Sequence, residues 1–495
     1  MKLRMVVFVA VAASLLAGCG GGGDGPVSSA ASQGGDRAAS DQEQVVLMRE
    51  LSIHRGLSMV RRAAPAATSV TVGPASLITV MPTATADVSH RASSVTWSAC
   101  PAYSDEVLRA RGVESDRIPQ FRTLLARTMC GTVSVPLDYR RPKGRQITVA
   151  VTKLKAVDQA HRLGSIALNP GGPGGSGYLM PIDIVLANAT NARLNDRYDL
   201  IGFDPRGIGY STKVDCPDPG PSERPVPGPL TEDTARQIYD RQVRENEACG
   251  NFDPTFLGQL NTANVARDLE QVRIALHERR LNFLGISWGT WLGAVYRSTF
   301  PGSAGRMFLD SVAIPRFRID AFEDGRAAAA ERNFSRMAAW IAQHHETYGL
   351  GTSQARVTDA ILQLRRAYDA NPKEFTDLDL AADGSMIAIL ASQDSPTWPM
   401  VTKALIELRD AAGPTAPPTV LEIFSGGRGQ PIPADAPEEF NQTMNSAAFC
   451  NEDPSRLNFS SAWAAYQRRL TDNPITGPAN RFSAGCAGWP LPVQA

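Results

Sequence analysis

The sequence carries no excess charge of either sign: 50 lysines and arginines face 50 aspartates and glutamates in 495 residues. That balance gives no general attraction to nucleic acid, which needs a basic face. Cysteine is sparse. There are seven, with no C-x-x-C pair and no Cys/His pair at ligand spacing, so a zinc-binding module is not indicated. Nucleotide fingerprints are missing as well: no glycine loop ends in G-K-[ST], and no G-x-G-x-x-G opens a helix. Neither a metal nor an organic cofactor is implied. Histidine is also scarce, with six in the chain, and only His344 and His345 lie beyond residue 287. What remains is ordinary globular composition, 43% hydrophobic and 20% charged, with many turn formers in 42 glycines and 35 prolines. The length suits two or three average domains, or one large domain with an insertion.

The N-terminus reads as an address. Lys2 and Arg4 precede an apolar run from Met5 to Leu16, too short for a permanent membrane span. Leu16-Ala17-Gly18-Cys19 follows and resembles the bacterial lipoprotein box. The resemblance implies a signal peptide over 1–18 and lipid attachment at Cys19. The alternative, an ordinary secretory signal, changes the anchor but not the export. Gly20 after the cysteine resembles an outer-membrane destination in Gram-negative cells. Residues 19–93 read as a flexible tether, too poor in apolar residues to offset its ordering entropy. A short helix over Gln44 to Val60 is the one local exception.

With Cys19 assigned to lipid, six cysteines remain, an even number in an exported chain, where disulfides are the expected state. Six allow 15 pairings. The sequence-adjacent set, Cys100–Cys130, Cys216–Cys249 and Cys450–Cys486, is preferred because each closes a moderate loop.

From about Trp97 the texture changes to alternating strands and helices. Gly131 to Tyr139 and Gln146 to Ala156 are rich in β-branched residues and read as a hairpin turning at Arg140 to Gly144. Gly164 to Asn169 is a short apolar strand running into a glycine-rich loop, and Tyr198 to Asp204 is another. Asn261 to Glu278 predicts a helix, with Val265, Leu269, Val272 and Leu276 on one face. Leu281 to Ile286 is a strand, Trp288 to Phe300 a helix stopped by Pro301-Gly302, and Gly305 to Val312 a strand. This alternation predicts an α/β fold: a mostly parallel sheet covered by helices.

Gly285-Ile286-Ser287-Trp288-Gly289 matches G-x-S-x-G between a predicted strand and a predicted helix, the context that motif requires. Glycines flank the serine because side chains there would collide across so tight a turn. Ser287 is the candidate nucleophile. An acyl-transfer site also needs two backbone N–H groups aimed at the developing oxyanion. Trp288 supplies one, and the loop 169–177 supplies the other, from Gly172 in preference to Gly171. Arg206, in Asp204-Pro205-Arg206-Gly207, is read as a structural partner of a carboxylate, with substrate contact as the lesser alternative.

At this point four segments, in order, carry a family resemblance: NPGGPGGSG at 169–177, DLIGFDPRGIGYS at 199–211, LGISWGTWLGAVY at 284–296 and GRMFLDSV at 305–312. They resemble the proline iminopeptidase/tripeptidyl aminopeptidase branch of the α/β-hydrolases. Cys100, Cys130, Phe449-Cys450 and Cys486-Ala487-Gly488-Trp489-Pro490 extend the resemblance over roughly 95–495. It implies an exported serine exopeptidase that takes residues or short peptides from free N-termini, with a helical cap inserted in the core. On that basis 94–313 is the core with its nucleophile turn, 314–445 the cap, and 446–495 a return segment toward the core. Within the cap, Ala327 to His345 and Val357 to Asp369 are expected as helices. Glu323, Asp324 and Glu331 are candidates for binding the substrate's amine, against the plainer reading of solvated helix charges.

The family pattern places the acid and the histidine of the triad after a C-x-x-W-P segment, whereas six residues follow Trp489 in this sequence. Three readings stand: a sequence truncated before its last strands by a frameshift, an early stop or an assembly end, which is preferred; a genuine pseudoenzyme; or an unusual base, His344 or His345 of the cap, with Asp310 as its acid. The expected function is therefore a lipid-anchored serine hydrolase of the envelope acting on peptides, catalytically incomplete as this chain. A non-catalytic peptide-binding envelope protein and an esterase on the same fold are the alternatives. Oligomeric state is left open.

Overall fold

The computed structural model describes residues 94–494, apart from 219–226, 314–317, 379 and 426–432. The expected signal, Cys19, the tether and its short helix all lie outside the described residues. No helix among the described residues is long and apolar enough to cross a membrane.

Seven strands form one sheet: β1 (Thr96–Ser98), β2 (Thr128–Pro136), β3 (Gln146–Leu154), β4 (Ser165–Asn169), β5 (Asp199–Phe203), β6 (Leu281–Ile286) and β7 (Ala304–Asp310), in the order β1-β2-β3-β5-β4-β6-β7. β2 and β3 make the expected antiparallel hairpin, and β3 pairs antiparallel with β5. The half that carries the candidate site, β5-β4-β6-β7, is parallel throughout. Parallel strands need both faces covered, and β4 and β5 are buried along their whole length.

The pleat sends successive side chains to opposite faces. Ala167, Ile201, Phe203 and Phe283 join one apolar core with helices α4 (Thr262–Ala275) and α5 (Trp288–Thr299). Ile166, Leu168, Leu200 and Leu284 join the other, under α1 (Ile118–Arg127) and α2 (Met180–Ala187). On α4 the expected stripe is fully buried at Val265, Leu269 and Val272, and Asn261 caps the helix by accepting from Asn264 N at 2.8 Å.

Between β5 and α4 lies α3 (Glu232–Phe252), a long helix that buries only Ala235, Cys249 and Gly250. Beyond β7 come α6 (Ile319–Gln343), α7 (Gln354–Ala370), α8 (Gly384–Ala391), α9 (Trp398–Asp410) and α10 (Pro418–Ser425). They share an apolar core of their own, built on Phe334, Ile341, Ile361, Leu390 and Leu405. Helix α6 begins well before the expected Ala327. Gly325 faces open space within the helix and interrupts nothing, and Asp320 sits favourably in the first turn. After α11 (Gln442–Glu452) and α12 (Phe459–Asp472), the chain serves both layers. Met444, Ala448, Cys486 and Trp489 join the sheet-side core, while Phe459, Ala462 and Tyr466 pack on Ala235 of α3.

The three disulfides are Cys100–Cys130, Cys216–Cys249 and Cys450–Cys486, with Cα–Cα distances of 5.0, 4.9 and 5.2 Å. Each closes a loop of thirty-odd residues, a constraint on the unfolded chain of about 3–4 kcal/mol in chain-entropy terms.

Candidate active site

Ser287 sits between the end of β6 and the start of α5 with φ 54° and ψ −124°, a left-handed-side conformation unusual for a non-glycine residue. The flanking glycines are there for space. A Cβ on Gly285 would lie 2.4 Å from Gly289 O, and one on Gly289 would lie 2.8 Å from both oxygens of Asn169. The Ser287 N–H donates to Asp310 O on the neighbouring strand at 3.0 Å, and Thr290 N and Oγ1 donate to Ser287 O at 2.8 and 2.7 Å. The turn is thus pinned on both sides at the carboxyl end of the sheet.

The glycine-rich loop meets this turn. A Cβ on Gly171, whose φ is +94°, would stand 2.4 Å from Ile286 O, 3.0 Å from Ser287 Cβ and 3.1 Å from Trp288 N. No other residue type allows that approach. Gly171 N is already spent on Asn169 Oδ1 at 3.0 Å. The backbone N–H groups of Gly172 and Trp288 have no hydrogen-bond partner among the described residues; Trp288 is the first residue of α5, whose N–H has no acceptor within the helix. Of the two loop candidates, Gly172 is therefore the one with a donor to give.

Two supports were not visible in the sequence. Asn169, fully buried, accepts from Gly171 N through Oδ1 and lies close against Gly289 of the nucleophile turn, and its Nδ2 has no partner among the described residues. The loop's far side is clamped by the last residues of the expected cap: Ser176 N donates to Glu439 O at 2.9 Å, Asn441 N to Gly174 O at 2.9 Å, and Asn445 Nδ2 to Pro173 O at 2.7 Å. Asp204, buried beside this loop, accepts from Ser176 Oγ at 2.5 Å and Tyr210 N at 2.9 Å, and burial pushes its carboxyl up to about 6.

Arg206 has the structural role expected for it. It is fully buried and grips Asp268 with Nε–Oδ2 2.7 Å and Nη2–Oδ1 2.6 Å, while its remaining donors reach Leu137 O and Pro136 O. Tyr139 OH donates to the same carboxylate at 2.7 Å.

The other candidates are placed elsewhere. His344 ends α6, with Nδ1 at 2.8 Å from Trp340 O and its ring 4.6 Å from that indole; His345 is exposed beside it. Asp310 is adjacent to Ser287 through its backbone, and its Oδ1 accepts from Ser311 Oγ at 3.4 Å. Among the described residues, no histidine or carboxylate hydrogen-bonds the Ser287 hydroxyl, so an arrangement with His344 or His345 as base and Asp310 as acid has no bond to support it. The three acidic cap residues are all engaged. Glu331 accepts from Thr476 N at 2.8 Å and Oγ1 at 2.7 Å, Asp324 pairs with Arg468 and Arg469, and Glu323 pairs with Arg326. Asp324 and Glu331 fasten α6 to α12 and the turn after it, Glu323 pairs within α6, and none of the three offers an unpaired carboxylate.

Sheet order, strand-to-helix turn and adjoining glycine loop together define a hydrolase fold. A family model described as the alpha/beta hydrolase fold matches residues 164–456, and this chain belongs to that family. It is similar to the tripeptidyl aminopeptidase of Streptomyces coelicolor, with 32% identity over 391 residues, covering 74% of this chain and 68% of that protein. It is also similar to the serine protease Hip1 of Mycobacterium tuberculosis, 28% identical over 302 residues, covering 58% of this chain and 57% of that one. Carboxylesterase B of Mycobacterium tuberculosis is 30% identical over 392 residues, covering 74% and 71%.

Proposed function

We propose that this chain is a serine hydrolase of the peptidase type, exported and lipid-anchored at Cys19 in the cell envelope, acting on peptides with free N-termini. Ser287 Oγ attacks the carbonyl carbon of the scissile bond. The oxygen of that carbonyl becomes an oxyanion held by the N–H groups of Gly172 and Trp288; collapse of the tetrahedral intermediate breaks the scissile C–N bond, the amine leaves carrying the proton that the Ser287 hydroxyl gave up, and the acyl-enzyme left on Ser287 is hydrolysed by water. The observation that carries this reading is the meeting of the two turns: a backbone-strained serine and two unpartnered N–H groups, brought together by a glycine that tolerates no side chain.

The peptidase assignment draws on similarity to the tripeptidyl aminopeptidase; the carboxylesterase relative keeps an ester substrate as the neighbouring choice. A second reading is a peptide-binding envelope protein without turnover. It is favoured by the absence, among the described residues, of an imidazole bonded to Ser287.

The full chain treated with a fluorophosphonate probe, then assayed on N-terminal tripeptide amides and on aryl esters, separates these. The peptidase reading expects labelling at Ser287 and amide turnover, both lost in Ser287→Ala. Turnover that survives Ser287→Ala overturns the nucleophile. Peptide binding without labelling selects the second reading.

A further inference from the structure

At the opposite end of the parallel strands lies a groove of about 670 Å³. It is lined by Arg279, Arg280, Arg297 and Arg306, with Leu163 and Glu278. All four arginines are exposed, and among the described residues their side chains make no ion pair or hydrogen bond. The carboxylate in the groove is already taken: Glu278 bonds Arg162 and accepts from Ser165 Oγ at 2.7 Å. In a chain with balanced total charge, four free guanidinium groups therefore share one groove with no local neutralisation.

Apolar tips stand at the same end of the sheet. Leu163, which lines the groove, is 50% exposed, and Val157, on the same β3–β4 loop, is 65% exposed. Guanidinium groups match phosphate oxygens through paired N–H donors and are held at anionic surfaces by the local potential. Apolar side chains beside them enter the headgroup–acyl boundary, the combination that peripheral membrane contacts use. The groove is open rather than enclosed, so it is accessible to headgroups presented on a plane.

We propose that this groove is a docking surface for an anionic phospholipid membrane: the four arginines take lipid phosphates while Leu163 and Val157 insert between headgroups. Arg279 and Arg280 precede β6, and Ser287 follows it, so the groove and the nucleophile are separated by the strand's length, about 20 Å. Docking in this way turns the nucleophile away from the lipid. The surface shares no residue with the Ser287 site, so either reading can fail without the other.

The test is co-sedimentation of the full chain with vesicles of phosphatidylglycerol mixed into phosphatidylcholine, against phosphatidylcholine alone, across a salt series. The compared chains share the same N-terminus, so differences report the groove. The parent is expected to prefer the anionic vesicles and to lose that preference as salt rises. Replacing all four arginines (Arg279→Gln, Arg280→Gln, Arg297→Gln, Arg306→Gln) is expected to weaken anionic binding at least about tenfold with an unchanged unfolding midpoint. Leu163→Ser with Val157→Ser is expected to weaken binding while keeping the anionic preference; this second pair leaves the arginines untouched. A quadruple variant that binds anionic vesicles as the parent does overturns the proposal. So does glycerol phosphate or inorganic phosphate that protects the arginines and displaces the vesicles at equal phosphate concentration, which assigns the groove to a soluble phosphate.

Discussion

The indole of Trp288, the residue after the proposed nucleophile, donates Nε1–H to Thr262 Oγ1 at 3.2 Å. Thr262 in turn donates its hydroxyl to Glu452 Oε2 at 3.0 Å and its backbone N–H to Oε1 at 2.6 Å. Three segments far apart in sequence thus fix the residue whose N–H is assigned to the oxyanion. Thr262→Val removes the middle of this chain and leaves a buried indole donor and one carboxylate oxygen short of partners. The expected loss is about 1–3 kcal/mol of stability in urea unfolding, with slower fluorophosphonate labelling of Ser287. Thr262→Ser, which keeps the hydroxyl, is expected to recover most of both.

Glu452 also gives stability a pH dependence. Burial raises its carboxyl from 4.5 to about 7, and burial raises Asp204 from 3.8 to about 6. The native state therefore binds protons that the unfolded chain has already released. The contribution is fully present below the unfolded values and is lost as pH rises through about 6 and then about 7. Between pH 4.5 and 7 these two groups make the protein less stable as pH rises; Asp199, whose carboxyl is held down by the Lys153 ammonium and Ala156 N–H against its own burial, acts with the opposite sign and at lower pH, its contribution lost as pH falls below its ordinary value of 3.8. Glu452→Gln is expected to flatten the upper part of the slope, above pH 6, and Asp204→Asn the lower part. Denaturant midpoints measured across that range would contradict this if the slopes of variants and parent coincide.

Gly171→Ala should separate stability from chemistry. An added methyl meets Ile286 O at 2.4 Å and Ser287 Cβ at 3.0 Å, at a φ of +94° that disfavours any side chain. The expected result is a loss of about 1–3 kcal/mol in stability and near-complete loss of fluorophosphonate labelling. Gly302→Ala is the control. Nothing lies within 4 Å of a Cβ there, so labelling should match the parent.

The parallel strands and the Ser287 turn were legible because their signals are local. Leu281–Ile286 is a compact apolar run, and the glycines around Ser287 announce a turn that no other residue type fits. The stripe on α4 was legible because it packs one face on the sheet. Helix α3 offered no such pattern, since it buries three residues in twenty-one and is tied down by Cys216–Cys249 instead. Asn169, Thr262 and Glu452 were silent for another reason. Their roles exist only once the fold brings distant segments together: Asn169 against Gly289, and Thr262 with Glu452, a partner 190 residues away that the spacing of a lone Thr or Glu does not encode. The cap carboxylates show the converse: acidic residues on a helix looked free to bind an amine, and the fold spends each on an arginine or a backbone N–H of its own.

Arg206 and Asp268 should be the pair whose disruption is felt most widely. Both are almost wholly buried, the ion pair is bidentate, and Tyr139 closes it from the third side. Removing one partner leaves an uncompensated charge in the core, so Asp268→Ala is expected to cost about 3–5 kcal/mol in denaturant unfolding. Arg206→Met together with Asp268→Leu replaces the charges with apolar volume and is expected to recover a large part of that loss. The loop 204–211 would still lose the anchor that Arg206 makes to Leu137 O and Pro136 O. Asp204 stands on that loop and accepts from Ser176 of the glycine-rich loop, so the double variant should regain stability more fully than it regains fluorophosphonate labelling. Equal recovery of both would show that the buried pair serves folding alone.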